Sequence, residues 1–396
     1  MAYIPPHKRH LKDSERPMLM PTPIPASLTP RFNRNVGLRA LRSNADWIGW
    51  KFYSNLATTR WFAVGWNDEN GDASASHLKP VSVEPFEWRT GEKPLILVKH
   101  NLDHSVEAQR SSCASIVENV LPDLLSSFQE ARAEIDRRIC KDGKLTMVAR
   151  FGNILFQGRP SVNLESVTED CLSKLKRTFH TTVSASYAAN IIAEVASKIG
   201  LDFADVKDSY LVKLSDSTQP YSTIFCKCRV NDGKKLQLYK IELNPVRDMV
   251  IDISCLHTDL DLRLALSHRR ILTSIPEDDM CCIRYLIDSA VVDPDVEGGL
   301  RWPFGKASGG NRFNVIGMWH TKATAYANAS VRLKVQHADR FDFITTYAEA
   351  SNEVFLKLKG IVSGLLDQNV EINAISDMLK DNLVLIWRHF LRCEPF

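Results

Sequence analysis

The connection from Asp293 to Arg312 concentrates residue types that could hold an anion. Gly298, Gly299, Gly305, Gly309 and Gly310 interleave there with Arg301, Lys306 and Arg312. Glycines let backbone amides approach a phosphate, and the cations would neutralise it. Trp302, Phe304 and Phe313 lie among the charges, which is also the composition of a stacking surface for unpaired bases. Arg301, Trp302, Lys306, Arg312 and the nearby His320 are therefore the candidate anion or nucleic-acid contacts. The competing reading is a buttress, an extended hairpin loop packed onto the body by its own aromatics. The segment fails as a nucleotide-triphosphatase P-loop. Gly299 and Gly305 are separated by five residues where the motif has four, and Ala307 stands where a hydroxyl must reach magnesium.

Other constellations carry less. Cys226 and Cys228 fall two apart on an expected strand and share a face, with Cys255 and His257 on another. The spacing is not that of a zinc knuckle or ribbon, so buried core thiols are expected, with no metal and no cofactor. Cys281 and Cys282 are adjacent on an expected helix and do not share a face. Asp208, Asp216, Glu242, Asp252, Asp259 and Asp261 could act together as acids or metal ligands if the fold converged them, although carboxylates near turns are more often caps. His268 and His320 are candidate acid–base groups, and a lone histidine more often packs or faces water. There is no serine elbow, Cys–His signature or dinucleotide fingerprint.

The elements that would position these residues read as α+β with a mainly antiparallel sheet and flanking helices. Aromatic runs at 47–53 and 61–66 read as two strands, with a loop at 67–72, and 94–98 as another strand. Val117, Leu121, Leu124, Phe128, Ala131 and Ile135 outline a helix, which Pro122 must kink or divide. Two strands flank Gly152, and a second helix ends at a Gly200 cap. An antiparallel meander is expected over 221–230, 236–243 and 249–255, with turns at 231–233 and 244–245. Residues 278–291 read as a helix, 313–320 and 331–335 as strands, and 372–390 as a C-terminal helix. Residues 354–362 fit strand and helix equally. Strands come in runs rather than in βαβ alternation, which is the basis for the class.

The 396 residues are 44% hydrophobic, enough for a sizeable core, and carry a formal charge of +3. Residues 1–44 hold eight Lys or Arg against two acids and seven prolines, so this leader is +6 and the remainder −3. A disordered basic Pro-rich leader over 1–44 and an α+β body over 45–396 are expected, with a division of the body near 200–207 as the alternative to one composite unit. No apolar run is long enough for a membrane helix. Nine cysteines in a large chain fit a reducing compartment, so a cytoplasmic or nuclear location is expected ahead of an organelle import signal. The sequence is silent on oligomeric state.

The blocks MAYIPPHKRH (1–10), GGLRWPFGK (298–306) and HADRFDF (337–343) together resemble a plant family whose members share one domain of unknown function. That resemblance covers most of the chain and carries over no activity, ligand or catalytic residue. Separately, Tyr3, Pro5, Pro6, His7, Lys8 and Arg9 lie in a YIPPHKR heptad similar to YxPPHxR segments in the flexible ends of RNA-handling proteins. This resemblance implies docking on RNA or on an RNP or translation protein. Lys8 stands where some of those segments have Leu. Two functions are thus expected from the sequence. The first is a non-enzymatic RNA/RNP-associated or protein-interaction module. The alternative is an enzyme, hydrolase or nuclease-like, acting on a phosphate-bearing substrate.

Overall fold

The computed structural model describes residues 52–64, 76–99, 106–137, 143–158, 164, 167–219, 222–231, 235–255, 258–303, 307–309 and 312–391. Residues 40–396 cluster as one compact unit. The leader, with Tyr3, Pro5, Pro6, His7, Lys8 and Arg9, and the expected loop at 67–72 lie outside the described residues.

In chain order the strands are β1 (Phe52–Val64), β2 (Ser76–Pro80), β3 (Leu95–Lys99), β4 (Gly143–Gln157), β5 (Lys176–His180), β6 (Asp202–Asp216), β7 (Thr223–Val230), β8 (Leu236–Leu243), β9 (Val246–Cys255), β10 (Asp261–Arg270), β11 (Val291–Val292), β12 (Leu300–Arg301), β13 (Ser308–Gly309), β14 (Phe313–Ala327), β15 (Val331–Asp342) and β16 (Tyr347–Leu358). The helices are α1 (Glu84–Thr90), α2 (Val106–Arg137), α3 (Glu169–Lys174), α4 (Ala185–Asn190), α5 (Ala196–Lys198), α6 (Glu277–Asp288), α7 (Lys359–Leu366) and α8 (Ile372–Ile386). A π-turn over Ile191–Val195 joins α4 to α5, and another over Trp387–Leu391 follows α8.

The main sheet runs β1-β9-β10-β4-β16-β15-β14-β6-β7-β8, and all of its neighbours are antiparallel except the parallel β1–β9 pair. Its far end returns on itself. Glu242 of β8 bridges Ile271 at the end of β10, and the Leu272 amide donates to the Ile241 carbonyl at 3.0 Å. Eight strands, β10-β4-β16-β15-β14-β6-β7-β8, therefore close a ring, with β9 and β1 continuing outside it.

Period-2 alternation sorts each ring strand into two faces. On β15, Val331, Leu333 and Val335 enter one apolar core while Arg332, Lys334, Gln336, Arg340 and Asp342 take the opposite face. On β16, Val354, Leu356 and Leu358 go to that core, and Glu349, Ser351, Glu353, Phe355 and Lys357 to the other side. The same split holds for Met147, Ala149 and Phe151 against Arg150 on β4, and for Val212 and Leu214 against Lys213 on β6. The apolar cores lie outside the ring. One packs α2, α4, α7 and α8 onto β4, β9, β10, β15 and β16. The second packs α6 onto β6, β7, β8 and β14. The polar faces consequently turn inward onto a common lumen.

Several expectations need correction. The two strands expected around Gly152 are one strand, β4, and Gly152 is required because a Cβ there would lie 2.0 Å from the His180 carbonyl oxygen of its antiparallel partner β5. Of the two readings of Pro122, a division of the helix does not occur: α2 runs through it. The meander stops at β8, because after Asn244-Pro245 the chain leaves to place β9 between β1 and β10. The long strand β6 and strand β10 were not anticipated. The 354–362 segment divides at Leu358 into the end of β16 and the start of α7. Gly200 does cap its helix, at φ 66°.

Candidate functional site

The candidate residues of the 293–312 connection are placed outside the ring, around α6. Arg301 pairs with Asp293 at 2.8 Å. The Arg312 guanidinium donates to both oxygens of Asp216, at 3.1 and 3.0 Å, and pairs also with Asp279. Trp302 donates from Nε1 to the Leu286 carbonyl at 2.8 Å and meets Phe343 edge-on. His320 faces outward, stacked on Tyr210 at 4.4 Å with Nε2 2.7 Å from Asp208. Lys306, Phe304, Gly305 and Gly310 lie outside the described residues. Both described cations of the connection are thus already paired with carboxylates, and its described aromatics brace α6 and the β15 end.

The remaining candidates do not converge either. Cys226 and Cys228 sit in the core beneath α6, whereas Cys255 belongs to the other core. Burial raises the thiols of Cys226 and Cys228, the latter to about 12, so both stay protonated. His257 lies outside the described residues. His268 turns outward beneath α2, where Nδ1 lies 3.0 Å from both Asp248 oxygens and Nε2 3.9 Å from Glu134. Asp252 is consumed by Arg263, which donates to it twice at 2.6 and 2.8 Å. Asp261 holds the Ile154 and Cys255 amides.

Of the named carboxylates, Glu242 faces the lumen, and the chemistry gathers there. Its side chain accepts Lys227 at 2.8 Å, Lys240 at 2.6 Å and Arg269 at 3.0 Å. Burial pushes its carboxyl up, but those hydrogen bonds and the Arg269 charge outweigh it and hold the group down at about 2. A second focus is Glu353, which accepts Arg340 at 2.6 Å, Gln336 at 2.5 Å and Thr181 at 3.0 Å. Burial raises its carboxyl too, and the Arg340 and Arg150 guanidiniums more than reverse the effect.

Four inward cations remain without a carboxylate within salt-bridge distance among the described residues: Arg150, Lys213, Lys334 and Lys357. Lys213 is 2% exposed. Burial lowers Lys213 to about 8 against the pull of Asp342. Burial lowers Lys334 to about 8 against the pull of Glu353, and Lys227, Lys207 and Arg150 lower it further. Lys357 falls to about 7, by burial first and then by the charges of Arg269, Lys334, Lys144 and Lys227. Burial lowers Arg150 to about 10 against the pull of Glu353, and Arg247, Arg263 and Arg340 lower it further. These shared causes place lysines and arginines of seven strands, β4, β6, β7, β9, β10, β15 and β16, within one another's electrostatic reach. Towards one rim, burial and then Glu353 raise the Glu349 carboxyl against Arg340, and burial keeps the neighbouring His180, 3.9 Å away, below its usual value.

Apart from Glu242, one of the candidate carboxylates, no lumen position carries a specific signal in the sequence. An inward Lys on an alternating strand looks like an outward one, because period 2 identifies two faces and not which of them meets bulk water.

The sequence profile of a family described as a domain of unknown function, DUF7903, matches residues 47–390. No curated protein matches. Among solved structures, the RNA triphosphatase Pct1 of S. pombe is similar at 12% identity, covering 69% of this chain and 93% of that one with a TM-score of 0.42. The RNA triphosphatase domain of a trifunctional mimivirus mRNA capping enzyme is similar at 8% identity, covering 68% and 98% with a TM-score of 0.31. Both scores fall below one half, so the site rests on its own residues. Among the described residues no helix is long and apolar enough to cross a membrane.

Proposed function

The chain belongs to the DUF7903 family, and from its lumen we propose that it binds a phosphate-bearing molecule inside the barrel and acts on it. One observation carries this reading: Arg150, Lys213, Lys334 and Lys357 face one enclosed space with no described carboxylate partner within 4 Å. Burying a cation costs several kcal/mol, about the scale of a whole domain's net stability when repeated four times. Asp342 and Glu353 offset Lys213, Arg150 and Lys334 only from beyond salt-bridge distance, so a fold that keeps four cations inward has room for a further countercharge. Phosphate oxygens are that countercharge, and donors preorganised in a low-dielectric site stabilise charge developing in phosphoryl transfer.

Glu242 and Glu353 hold Lys227, Lys240, Arg269 and Arg340 in place, so they act as positioning residues. Glu349 and His180 favour turnover over simple binding. A carboxyl raised by burial beside an imidazole lowered by burial makes a proton donor–acceptor pair. This favours the phosphate-substrate reading over an interaction module working through the 293–312 connection, whose described cations are spent on Asp216, Asp279 and Asp293.

Calorimetric titration of the full chain with inorganic tripolyphosphate, at low and physiological salt, tests the binding. The expected result is saturable binding that weakens with salt and is lost in the K334E/K357E double variant. No heat at millimolar ligand, or equal binding by that variant, would overturn it. Phosphate release by the wild type but not by Glu349→Gln is the expected result for turnover.

A further inference from the structure

Tyr347 opens β16 at the rim of the barrel, where the β15–β16 hairpin turns, and its lumen face continues as Glu349, Ser351 and Glu353. Trp88 of α1 lies against it, with ring centroids 5.8 Å apart and planes inclined by 26°. Trp88 is 63% exposed, whereas Phe86, two residues earlier, is 1% exposed. The short helix is therefore anchored by one aromatic and displays the other. Its ends are fixed as well. The Val83 amide donates to Glu87 Oε1 at 2.8 Å, the Thr90 hydroxyl donates to the Phe86 carbonyl at 2.8 Å, and Gly91 closes the turn at φ 71°.

A tryptophan left mostly in solvent contributes little to folding, yet here it is held in one orientation with a ring beneath it. The surroundings differ in sign from the lumen. Glu84, Glu297 and Glu349 stand close enough to Tyr347 to add to the effect of burial and raise its hydroxyl to about 12. The rim is aromatic and acidic, and the space behind it is cationic. A ligand matching both has a flat ring with N–H donors or positive charge at one end and phosphates at the other. Bare polyphosphate would meet the acidic rim with nothing to offset the repulsion.

We propose that Trp88 and Tyr347 form a stacking subsite for the planar nitrogen heterocycle of a phosphate ester, a nucleotide being the simplest case, with the phosphates lodged in the lumen. The subsite rests on the lumen reading and adds to it a preference for a ring-bearing substrate. Stacking on one aromatic side chain is worth about tenfold in affinity.

Titration of the full-length wild type, W88A and W88F with ATP, GTP and inorganic tripolyphosphate tests it. In the wild type at least one nucleotide is expected to bind about tenfold or more tightly than tripolyphosphate. W88A is expected to lose that advantage while binding tripolyphosphate as before, and W88F to keep most of it. Equal affinity of nucleotides and tripolyphosphate for the wild type would overturn the subsite, as would a W88A defect equal for all three probes. Tripolyphosphate binding that is lost in K334E/K357E, with no nucleotide advantage, would sink the subsite and leave the lumen reading standing. Failure of every probe to bind would sink both.

Discussion

Arg150 and Lys334 approach the same ring: the Arg150 guanidinium carbon lies 5.3 Å and the Lys334 ammonium 5.4 Å from the centroid of Phe355. The strand register explains it, since Arg150 and Lys334 are the two cross-strand partners of Phe355 on β4 and β15. Two cations share one quadrupole where a carboxylate would be expected. The ring attracts each of them by about 1–2 kcal/mol, well short of the cost of enclosing both.

Removing such a charge should therefore stabilise the ligand-free protein. Lys357→Met is expected to raise unfolding stability by about 1 kcal/mol, because it deletes an uncompensated cation and keeps the chain's volume. The same variant is expected to bind tripolyphosphate more weakly. Urea denaturation with and without ligand reads both effects, and a destabilised, tightly binding Lys357→Met would contradict them.

The lysines also set a pH dependence. Lys357 titrates at about 7 and Lys213 and Lys334 at about 8 in the folded chain. An unfolded lysine titrates near 10.4. Between those values the unfolded chain binds more protons, so ligand-free stability should climb from about pH 7 to pH 10. Anion affinity should run the other way, falling as the ammonium groups lose their protons above pH 7. Thermal melts and titrations at pH 6.5, 7.5 and 8.5 would show the two trends crossing, and parallel trends would refute the assignment.

Glu242 should behave oppositely to the free lysines. Its replacement by Gln leaves Lys227, Lys240 and Arg269 without their shared carboxylate, at an expected cost of about 3 kcal/mol. With its folded value near 2, below the unfolded one, its stabilising contribution is complete above about pH 5 and is lost as pH falls towards 2. Acid denaturation of wild type and Glu242→Gln, compared by circular dichroism, should converge at low pH.

Gly152→Ala tests the close approach of β4 to its antiparallel partner β5. The added carbon has no room beneath the His180 carbonyl, a backbone atom that cannot swing aside. Loss of soluble folded protein, or a destabilisation above about 3 kcal/mol, is the expected outcome. Near-native stability would contradict this close approach.

Much of the architecture was legible from periodicity. Leu236–Leu243, the helix ending at Gly200 and the 372–390 helix appear where their apolar spacing places them. The first half of β6 was not legible, because Asp202–Ser209 is largely polar or exposed on both faces and takes its strand form from pairing with β14. The Asn244-Pro245 turn was read as a hairpin, and nothing local reveals that β9 departs to pair with β1. The lumen was the largest omission. Arg150, Lys334 and Lys357 each occupy the polar phase of an ordinary amphipathic strand, and only ring closure turns that phase inward. The glycine-rich connection drew attention through composition, while its described charges find their partners in Asp216, Asp279 and Asp293, residues that local spacing could not match to them.

The ring is joined between β8 and β10 by the Glu242–Ile271 bridge and the Leu272–Ile241 hydrogen bond instead of a full ladder. Glu242 thus belongs to the thinnest suture of the cylinder and to its densest knot of cations at once. An anion that drew Lys227, Lys240 and Arg269 towards itself would slacken the wall at that same stitch. Occupancy of the interior and tightness of the closure are thereby tied to one side chain.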